Sequence, residues 1–301
     1  MRTHTPHLFQ LSLNTHDITE NLQWWKEEAF DGNNNKPTLS STLTKDSFSS
    51  CTFIELSSDN DGGAIYYTSG SSIHLDHCTF THCKTTGGFT HSHGGGAVYI
   101  SRGTLSIINS SFLLCTTSSF GGGIYAYTGC ASSYISQSTF ISCKGTYGGG
   151  VNIYCGPTSS VLSSRFISCT GSISGGGFYH DSHSGTSAIS VSDSFFIHNC
   201  ADSASDGYAS RGGGGFENFR SATYPTNYSF LFFHGNIAKK GIGHDITSNA
   251  NAVSEGSVVH CFTTTAENSF CNAGRDQKNW LPLTTVNLLL TSSAILTRYV
   301  Y

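Results

Sequence analysis

The chain has 301 residues, of which 34 are glycine and only 11% are charged, and its formal net charge is −4. A soluble domain ordinarily carries about 25% charged residues, so this composition excludes a helical bundle, a coiled coil and a charge-rich disordered chain. The sequence has no basic run that could provide an electrostatic footprint for nucleic acid, and we expect no nucleic-acid partner.

Residues 1–45 contain no repeat, and we predict that they form an N-terminal capping segment. Trp24 and Trp25 are expected to cover the first coil of a repeat structure, because a solenoid needs its open end covered. The first residues include no seven-residue apolar stretch followed by small residues, so the sequence predicts no signal peptide there.

Two short motifs alternate through residues 46–246. The first is a glycine pair or triplet followed by an apolar residue and usually a tyrosine, as in Gly62-Gly63-Ala64-Ile65-Tyr66. Its later copies contain Gly95, Gly121, Gly148, Gly175 and Gly213. The second is Phe-x-x-Cys or Phe-x-x-Asn, with its phenylalanine at Phe48, Phe80, Phe112, Phe140, Phe166, Phe196 and Phe233. Two motifs in strict alternation indicate a repeat architecture.

The repeat period favours a parallel solenoid. Successive phenylalanines of the second motif lie 26 to 37 residues apart, and each unit contains alternating runs such as 72–76 that predict short, half-buried strands. A propeller blade needs about 40 residues or more, whereas a solenoid coil is shorter. We therefore predict an all-β parallel solenoid of about seven coils with irregular caps. Residues 247–301 are expected to be a C-terminal cap or the start of a further region.

Stacked coils should place equivalent residues in ladders about 4.8 Å apart. Ile65 and its equivalents would form one interior ladder, and Phe80 and its equivalents a second. The Cys or Asn of the second motif would form a third ladder at a turn. Six of the 11 cysteines lie in or beside that position: Cys51, Cys83, Cys115, Cys143, Cys169 and Cys200. We expect a reduced ladder, with Cys130 and Cys155 as the first pair to inspect for a disulfide.

The paired motifs resemble the repeats of chlamydial polymorphic outer-membrane proteins and, equally, those of β-helix repeat surface proteins of anaerobic protists. The resemblance covers about residues 48–245. It implies a single-stranded right-handed parallel β-helix of the pectin-lyase-like class. It also implies a surface or adhesion role, with a cell-surface or extracellular location. Membrane association stays open, because neither an export signal nor an anchor is recognisable in the sequence.

Alternation along the glycine-led strands indicates which residues face outward. If Ile65 and its equivalents point inward, the outer strip is rich in tyrosine. The ligand-binding candidates are Tyr66, Tyr99, Tyr125, Tyr127, Tyr154 and Tyr179. The stacked rings could simply stabilise the sheet, or they could form a shallow platform for a glycan or a partner protein. Long loops at 84–94 and 201–212 would add contact surface.

Catalysis is the alternative hypothesis for this strip. Only Asp181 and Glu217 could act as an acid/base pair there, one coil apart, so the preferred interpretation assigns no catalytic residue. The histidines around 74–82 lack the paired spacing of a zinc site, and we predict neither a metal nor a cofactor. The preferred function is a non-catalytic surface or adhesion module that binds glycan or protein. The alternatives are a polysaccharide lyase or glycoside hydrolase of the pectin-lyase-like class, and a structural spacer in a larger surface protein.

Overall fold

The computed structural model describes residues 22–26, 29–31, 45–68, 72–87, 93–154, 156, 158–181, 188–202, 212–219, 227–239, 246–248, 258–262 and 272–273. These residues form strands, turns and bends, and they include no helix. Neighbouring strands pair in parallel, and each strand lies beside its equivalent from the next repeat. The prediction of an all-β parallel solenoid is therefore confirmed.

A complete coil contains up to four short strands, and each strand joins one of four stacks. The leading stack contains β1 (Leu22–Lys26), β3 (Lys45–Ser49), β7 (Ser72–Asp76), β11 (Gly103–Ile108), β14 (Cys130–Ser136), β18 (Thr158–Leu162) and β22 (Ala188–Ser192). The phenylalanine stack contains β2 (Ala29–Asp31), β4 (Thr52–Ile54), β8 (Thr79–Thr81), β12 (Ser111–Leu113), β15 (Thr139–Ile141), β19 (Arg165–Ile167) and β23 (Phe195–Ile197).

The other two stacks complete the coil. The short stack contains β5 (Ser57–Ser58), β9 (Lys84–Thr85), β16 (Lys144–Tyr147), β20 (Thr170–Ser174), β24 (Cys200–Ala201) and β27 (Ile237–Ala238). The glycine-led stack contains β6 (Ile65–Tyr67), β10 (Val98–Ile100), β13 (Ile124–Ala126), β17 (Val151–Ile153), β21 (Phe178–Asp181), β25 (Phe216–Phe219), β28 (Ile246–Ser248) and β30 (Asn272–Ala273). Strand β26 (Asn227–His234) pairs with β22, β23 and β29 (Val258–Phe262), and it joins the first two stacks into one sheet.

About 5 coils are complete, rather than the seven predicted. In the coils from β7 to β25, every strand has a neighbouring coil on both sides. The terminal repeats carry the motifs, but in the described residues β5, β6 and β27 each pair on one side only. Strands β1 and β2, from the predicted N-terminal cap, extend the first two stacks by part of a coil.

Left-handed residues bend the chain at its corners. One such residue follows the leading strand and another follows the phenylalanine strand, as at Asn109 and Leu114, with φ of 49° and 54°. Glycine occupies the corner before the glycine-led strand. At Gly121 φ is +65°, and an added Cβ would lie 1.9 Å from the carbonyl oxygen of Ile124. The Gly-Gly motif is thus required by the backbone conformation of this corner.

The phenylalanine ladder runs through the interior, as predicted. Consecutive rings are nearly parallel, with centroids 4.4 to 5.0 Å apart. Its members are Phe53, Phe80, Phe112, Phe140, Phe166, Phe196 and Phe233. Phe48, which matches the motif, does not join this ladder, because Phe53 pairs with Phe80 whereas Phe48 pairs with Leu75.

The predicted Cys/Asn ladder lies at the corner after the phenylalanine strand. Each side chain donates a hydrogen bond to the carbonyl of the ladder phenylalanine one coil earlier: Cys143 to Phe112 O over 3.4 Å, and Asn199 to Phe166 O over 2.9 Å. The S–H group therefore replaces the amide N–H of asparagine at the same acceptor. The eight cysteines whose side chains the structure describes, Cys130 included, are free, and Cys155 lies outside the described residues.

A buried serine ladder occupies the corner before the phenylalanine strand. Its members are Ser110, Ser138, Ser164 and Ser194. The hydroxyl of each later serine accepts from the backbone N–H of the serine one coil earlier, as Ser138 Oγ accepts from Ser110 N. Ser194 Oγ also donates to Ser192 O in its own coil. Cys51 takes the equivalent place in its coil, since Cys51 O accepts from Thr79 N as Ser110 O accepts from Thr139 N. Its predicted place in the Cys/Asn ladder is therefore wrong, and Leu56 stands there instead.

Candidate functional site

The outer face of the glycine-led stack carries three rows of side chains. The middle row runs Tyr66, Tyr99, Tyr125, Asn152, Tyr179 and Glu217 in direct register. A second row, two residues further along each strand, includes Tyr127, Tyr154, Asp181 and Phe219. The third row precedes the corner glycines and includes Asp61, Gly94, Phe120 and Tyr147. The rows bring all six candidate tyrosines onto one face.

Three of the six candidate tyrosines are buried in an aromatic cluster. Tyr99, Tyr125 and Tyr179 are only 4%, 1% and 2% exposed. Phe120 and Tyr147 pack against this face, with ring centroids 5.1 Å from Tyr125 and 5.2 Å from Tyr179, respectively. Sequence alternation missed these two residues, because they stand before the corner glycines and outside the strand whose period was read.

Three accessible rings and the buried ring of Tyr99 form a ribbon along this face. Tyr66 is 47% exposed, and Tyr127 and Tyr154 are half-buried. The centroid distances and interplanar angles are 5.4 Å and 17° for Tyr66–Tyr99, 6.4 Å and 27° for Tyr99–Tyr127, and 5.8 Å and 13° for Tyr127–Tyr154. We call Tyr66, Tyr99, Tyr127 and Tyr154 the tyrosine ribbon. Its rings are near parallel, and its accessible members lie in three different coils.

Burial keeps Tyr99 and Tyr125 protonated. Desolvation raises the pKa of Tyr99 and of Tyr125, and the nearby Asp61 carboxylate raises that of Tyr99 further. Asp61 is itself buried, where its Oδ1 accepts from Gly94 N over 2.7 Å and its Oδ2 lies 3.0 Å from His93 Nδ1. The hydroxyl groups of Tyr99 and Tyr125 are thus neutral at any ordinary pH.

Asp181 and Glu217 lie on neighbouring strands at the other end of the face. Glu217 is in register with Tyr179, and Asp181 is in register with Phe219. This diagonal offset places their Cα atoms about 8 Å apart, from the usual strand spacing and rise. Asp181 is 9% exposed and Glu217 is fully buried, with Glu217 Oε2 accepting from Gly212 N over 3.2 Å. The two carboxyl groups share the face with little direct access to solvent.

The structure describes only part of the two long loops that were predicted to add contact surface. Residues 88–92 and 203–211 of the two long loops lie outside the described residues, so the role of these loops stays a prediction. Among the described residues, no group of three or more His, Cys, Asp or Glu side chains is arranged to hold a metal ion. His74 instead bonds Ser106, and His77 bonds Asp76.

A polar group inside the solenoid was not predicted. His180 and Asn218 continue the interior ladder of Ile100, Ala126 and Ile153, and both are fully buried. His180 Nδ1 donates to Asn218 Oδ1 over 2.7 Å, and Asn218 Nδ2 donates to the Tyr228 hydroxyl over 2.8 Å. Desolvation lowers the pKa of His180 to about 4, so the imidazole is neutral.

The part of the chain that the structure describes contains no helix able to cross a membrane. Comparison with family models, with curated proteins and with solved structures finds no match to this chain.

Proposed function

We propose that this chain is a non-catalytic surface module of the adhesion type, which binds a glycan or a protein through the outer tyrosines of the glycine-led stack. The resemblance of its paired motifs to the chlamydial and protist β-helix repeats supports the surface role. The tyrosine ribbon supports the binding role, because accessible aromatic rings suit both sugar faces and the hot spots of protein partners.

The observation that carries the proposal is the arrangement of the ribbon rings. Tyr66 offers a half-exposed ring at one end, and the stacked pair Tyr127 and Tyr154 continues the surface two and three coils away. The buried rings beneath fix this surface, because Tyr125 packs against Phe120 and Tyr127. A rigid platform loses little conformational entropy when a ligand is bound.

The alternative enzyme function has one favourable observation. Asp181 and Glu217 are diagonal neighbours on one face, and glycosidases likewise use a pair of carboxyl groups. Complete burial of Glu217 and its bond from Gly212 N weigh against it, because a polymeric substrate must reach both groups. A structural spacer is the further alternative, and it requires neither a ligand nor a reaction.

A glycan array probed with the full chain tests the binding proposal. We expect the Tyr66→Ala/Tyr127→Ala double variant to lose at least tenfold in affinity for the bound glycans, or for a protein partner measured in the same way. Phe230→Ala is the control, because it removes a 61% exposed ring from another strand.

Unchanged binding in the double variant would contradict the tyrosine ribbon. Incubation with uronic-acid polymers forms a parallel assay, read for unsaturated products and new reducing ends. Turnover that disappears in Glu217→Gln would replace the binding proposal with the enzyme alternative. No binding together with no turnover would favour the spacer.

A further inference from the structure

A second surface lies on the outer face of the leading stack. Strands β14, β18 and β22 form a shallow groove there, with a volume of about 390 Å³. Its outward-facing side chains are Ser132, Tyr134, Thr158, Ser160, Ala188 and Ser190. We call this surface the serine groove. It lies on a different stack from the tyrosine ribbon.

The register of three coils creates the groove. Tyr134 pairs with Ser160, and Ser160 pairs with Ser190, so one large side chain is followed by two small ones in the same row. The adjacent row, Ser132, Thr158 and Ala188, is also small. Tyr134 is 39% exposed. Its ring therefore rises as a wall at one end of a low floor.

The hydroxyl groups of the groove are available to a ligand. In the part of the chain that the structure describes, Ser132, Tyr134, Thr158, Ser160 and Ser190 make no side-chain hydrogen bond to the protein. The serine ladder differs, because Ser138, Ser164 and Ser194 each donate to a carbonyl oxygen over 2.7 to 2.9 Å. Each groove hydroxyl can both donate and accept, and successive rows repeat at about 4.8 Å.

The charge of the lining restricts the ligand. None of the outward-facing groove residues carries a charge at neutral pH. An anionic or cationic ligand would lose hydration there without gaining an ion pair. The hydroxyl-rich floor also lacks the apolar pockets that anchor a peptide side chain. A ligand with many hydroxyl groups, no charge and one apolar ring face matches the floor and the Tyr134 wall.

We propose that the serine groove binds a neutral saccharide, with one sugar ring against Tyr134 and sugar hydroxyls bonded to Ser160 and Ser190. This site is separate from the tyrosine ribbon, and it names a ligand class that the ribbon proposal leaves open. Rings that pack on an aromatic face and hydroxyls that bond to fixed partners together give orientation as well as affinity.

Calorimetric titration of the full chain with neutral hexasaccharides tests the proposal. The probes are the hexaoses of β-1,4-glucose, α-1,4-glucose, β-1,4-xylose and β-1,4-mannose, and hexagalacturonate is the anionic comparison. We expect at least one neutral probe to bind and hexagalacturonate to bind at least tenfold more weakly. Tyr134→Ala should weaken binding at least tenfold, whereas Tyr134→Phe should retain most of it because the ring remains.

Matched variants separate the serine groove from the tyrosine ribbon and from misfolding. Ser160→Lys places a charged side chain on the floor and should abolish binding, while Ser111→Lys adds the same side chain to an exposed position on β12 and should not. Circular dichroism verifies that each variant is folded. The proposal is overturned if no neutral probe binds, if hexagalacturonate binds as tightly, or if Tyr127→Ala rather than Tyr134→Ala removes binding.

Discussion

Individual residues in the corners hold backbone strain that the solenoid tolerates. Leu114 has φ of 54° and is 39% exposed, although side chains other than glycine, asparagine and aspartate rarely adopt this conformation. Equivalent corners contain Ser142 and Ser168, and the coil of β26 has Gly235 there. The strain at Leu114 is not offset by burial, so this side chain can be replaced at little cost in packing.

Leu114→Asn is expected to stabilise the protein. Asparagine adopts the left-handed conformation more readily than leucine, and the expected gain in the free energy of unfolding is about 1 kcal/mol. Leu114→Val should have the opposite effect, because a β-branched side chain is the least compatible with positive φ. Urea denaturation followed by circular dichroism measures both variants. Equal stability of the Asn and Val variants would show that this corner is unstrained.

Strands and stacks are stabilised by ladders of equivalent residues. In one interior ladder of the leading stack, two serines stand where the neighbouring coils have apolar residues. Ser133 and Ser159 take interior positions between Leu105 and Ile189. Their hydroxyl oxygens are buried with no hydrogen-bond partner, whereas Ser164 Oγ donates to Leu162 O and accepts from Ser138 N. The same side chain is therefore unsatisfied in one ladder and satisfied in the other.

Ser159→Ala and Ser164→Ala should change stability in opposite directions. Removing the unsatisfied hydroxyl of Ser159 is expected to raise the free energy of unfolding by about 1 kcal/mol, because the desolvation penalty disappears. Removing the bonded hydroxyl of Ser164 leaves Ser138 N without its acceptor and should lower that free energy by about 1–2 kcal/mol. Thermal and urea unfolding compare the pair. Destabilisation by Ser159→Ala would mean that its hydroxyl is bonded in solution.

Most of the ladders could be predicted from the sequence, but the first repeat could not. Phe48 matches the Phe-x-x-Cys pattern, while Phe53 is followed by Leu56 at the cysteine position. Both lie at an acceptable spacing from Phe80, so neither the motif nor the period distinguishes them. The register that decides between them depends on Phe48 packing beside Leu75, which is a contact between coils.

The candidate site, too, could be predicted only in part from the sequence. Alternation predicted which tyrosines share the outer face, because strand period alone fixes that property. It could not predict the burial of Tyr125, which depends on Phe120 and Tyr147 reaching across a corner from the short stack. The serine groove was also missed, because serine rows carry no pattern that distinguishes a groove from an ordinary exposed strand.

The molecule as a whole has a nearly continuous apolar interior, and His180 is an ionisable group within it. Its folded-state pKa is lowered to about 4, whereas an imidazole in the unfolded chain titrates near 6.5. The unfolded chain therefore binds the proton more strongly than the folded protein. The contribution to stability is complete above about pH 6.5 and is lost as the pH falls toward 4.

Stability should consequently decrease in mild acid, by up to about 3 kcal/mol from this one group. His180→Gln keeps a donor for Asn218 and removes the titration, so its stability should depend less on pH between 6.5 and 4. Urea midpoints at several pH values give the two profiles, and their slopes are compared rather than their absolute stabilities. Parallel profiles would mean that other groups cause the acid sensitivity.

The parallel pairing of coils has a mechanical consequence. Hydrogen bonds between coils point along the solenoid axis, while the covalent chain runs around it. A pulling force along the axis loads one coil boundary at a time and peels the structure from an end. A force across the axis must shear every stacked ring and ladder bond together. Such a protein unfolds more easily under force along its axis than under force across it. Its resistance to unfolding by force therefore depends on the points at which the force is applied.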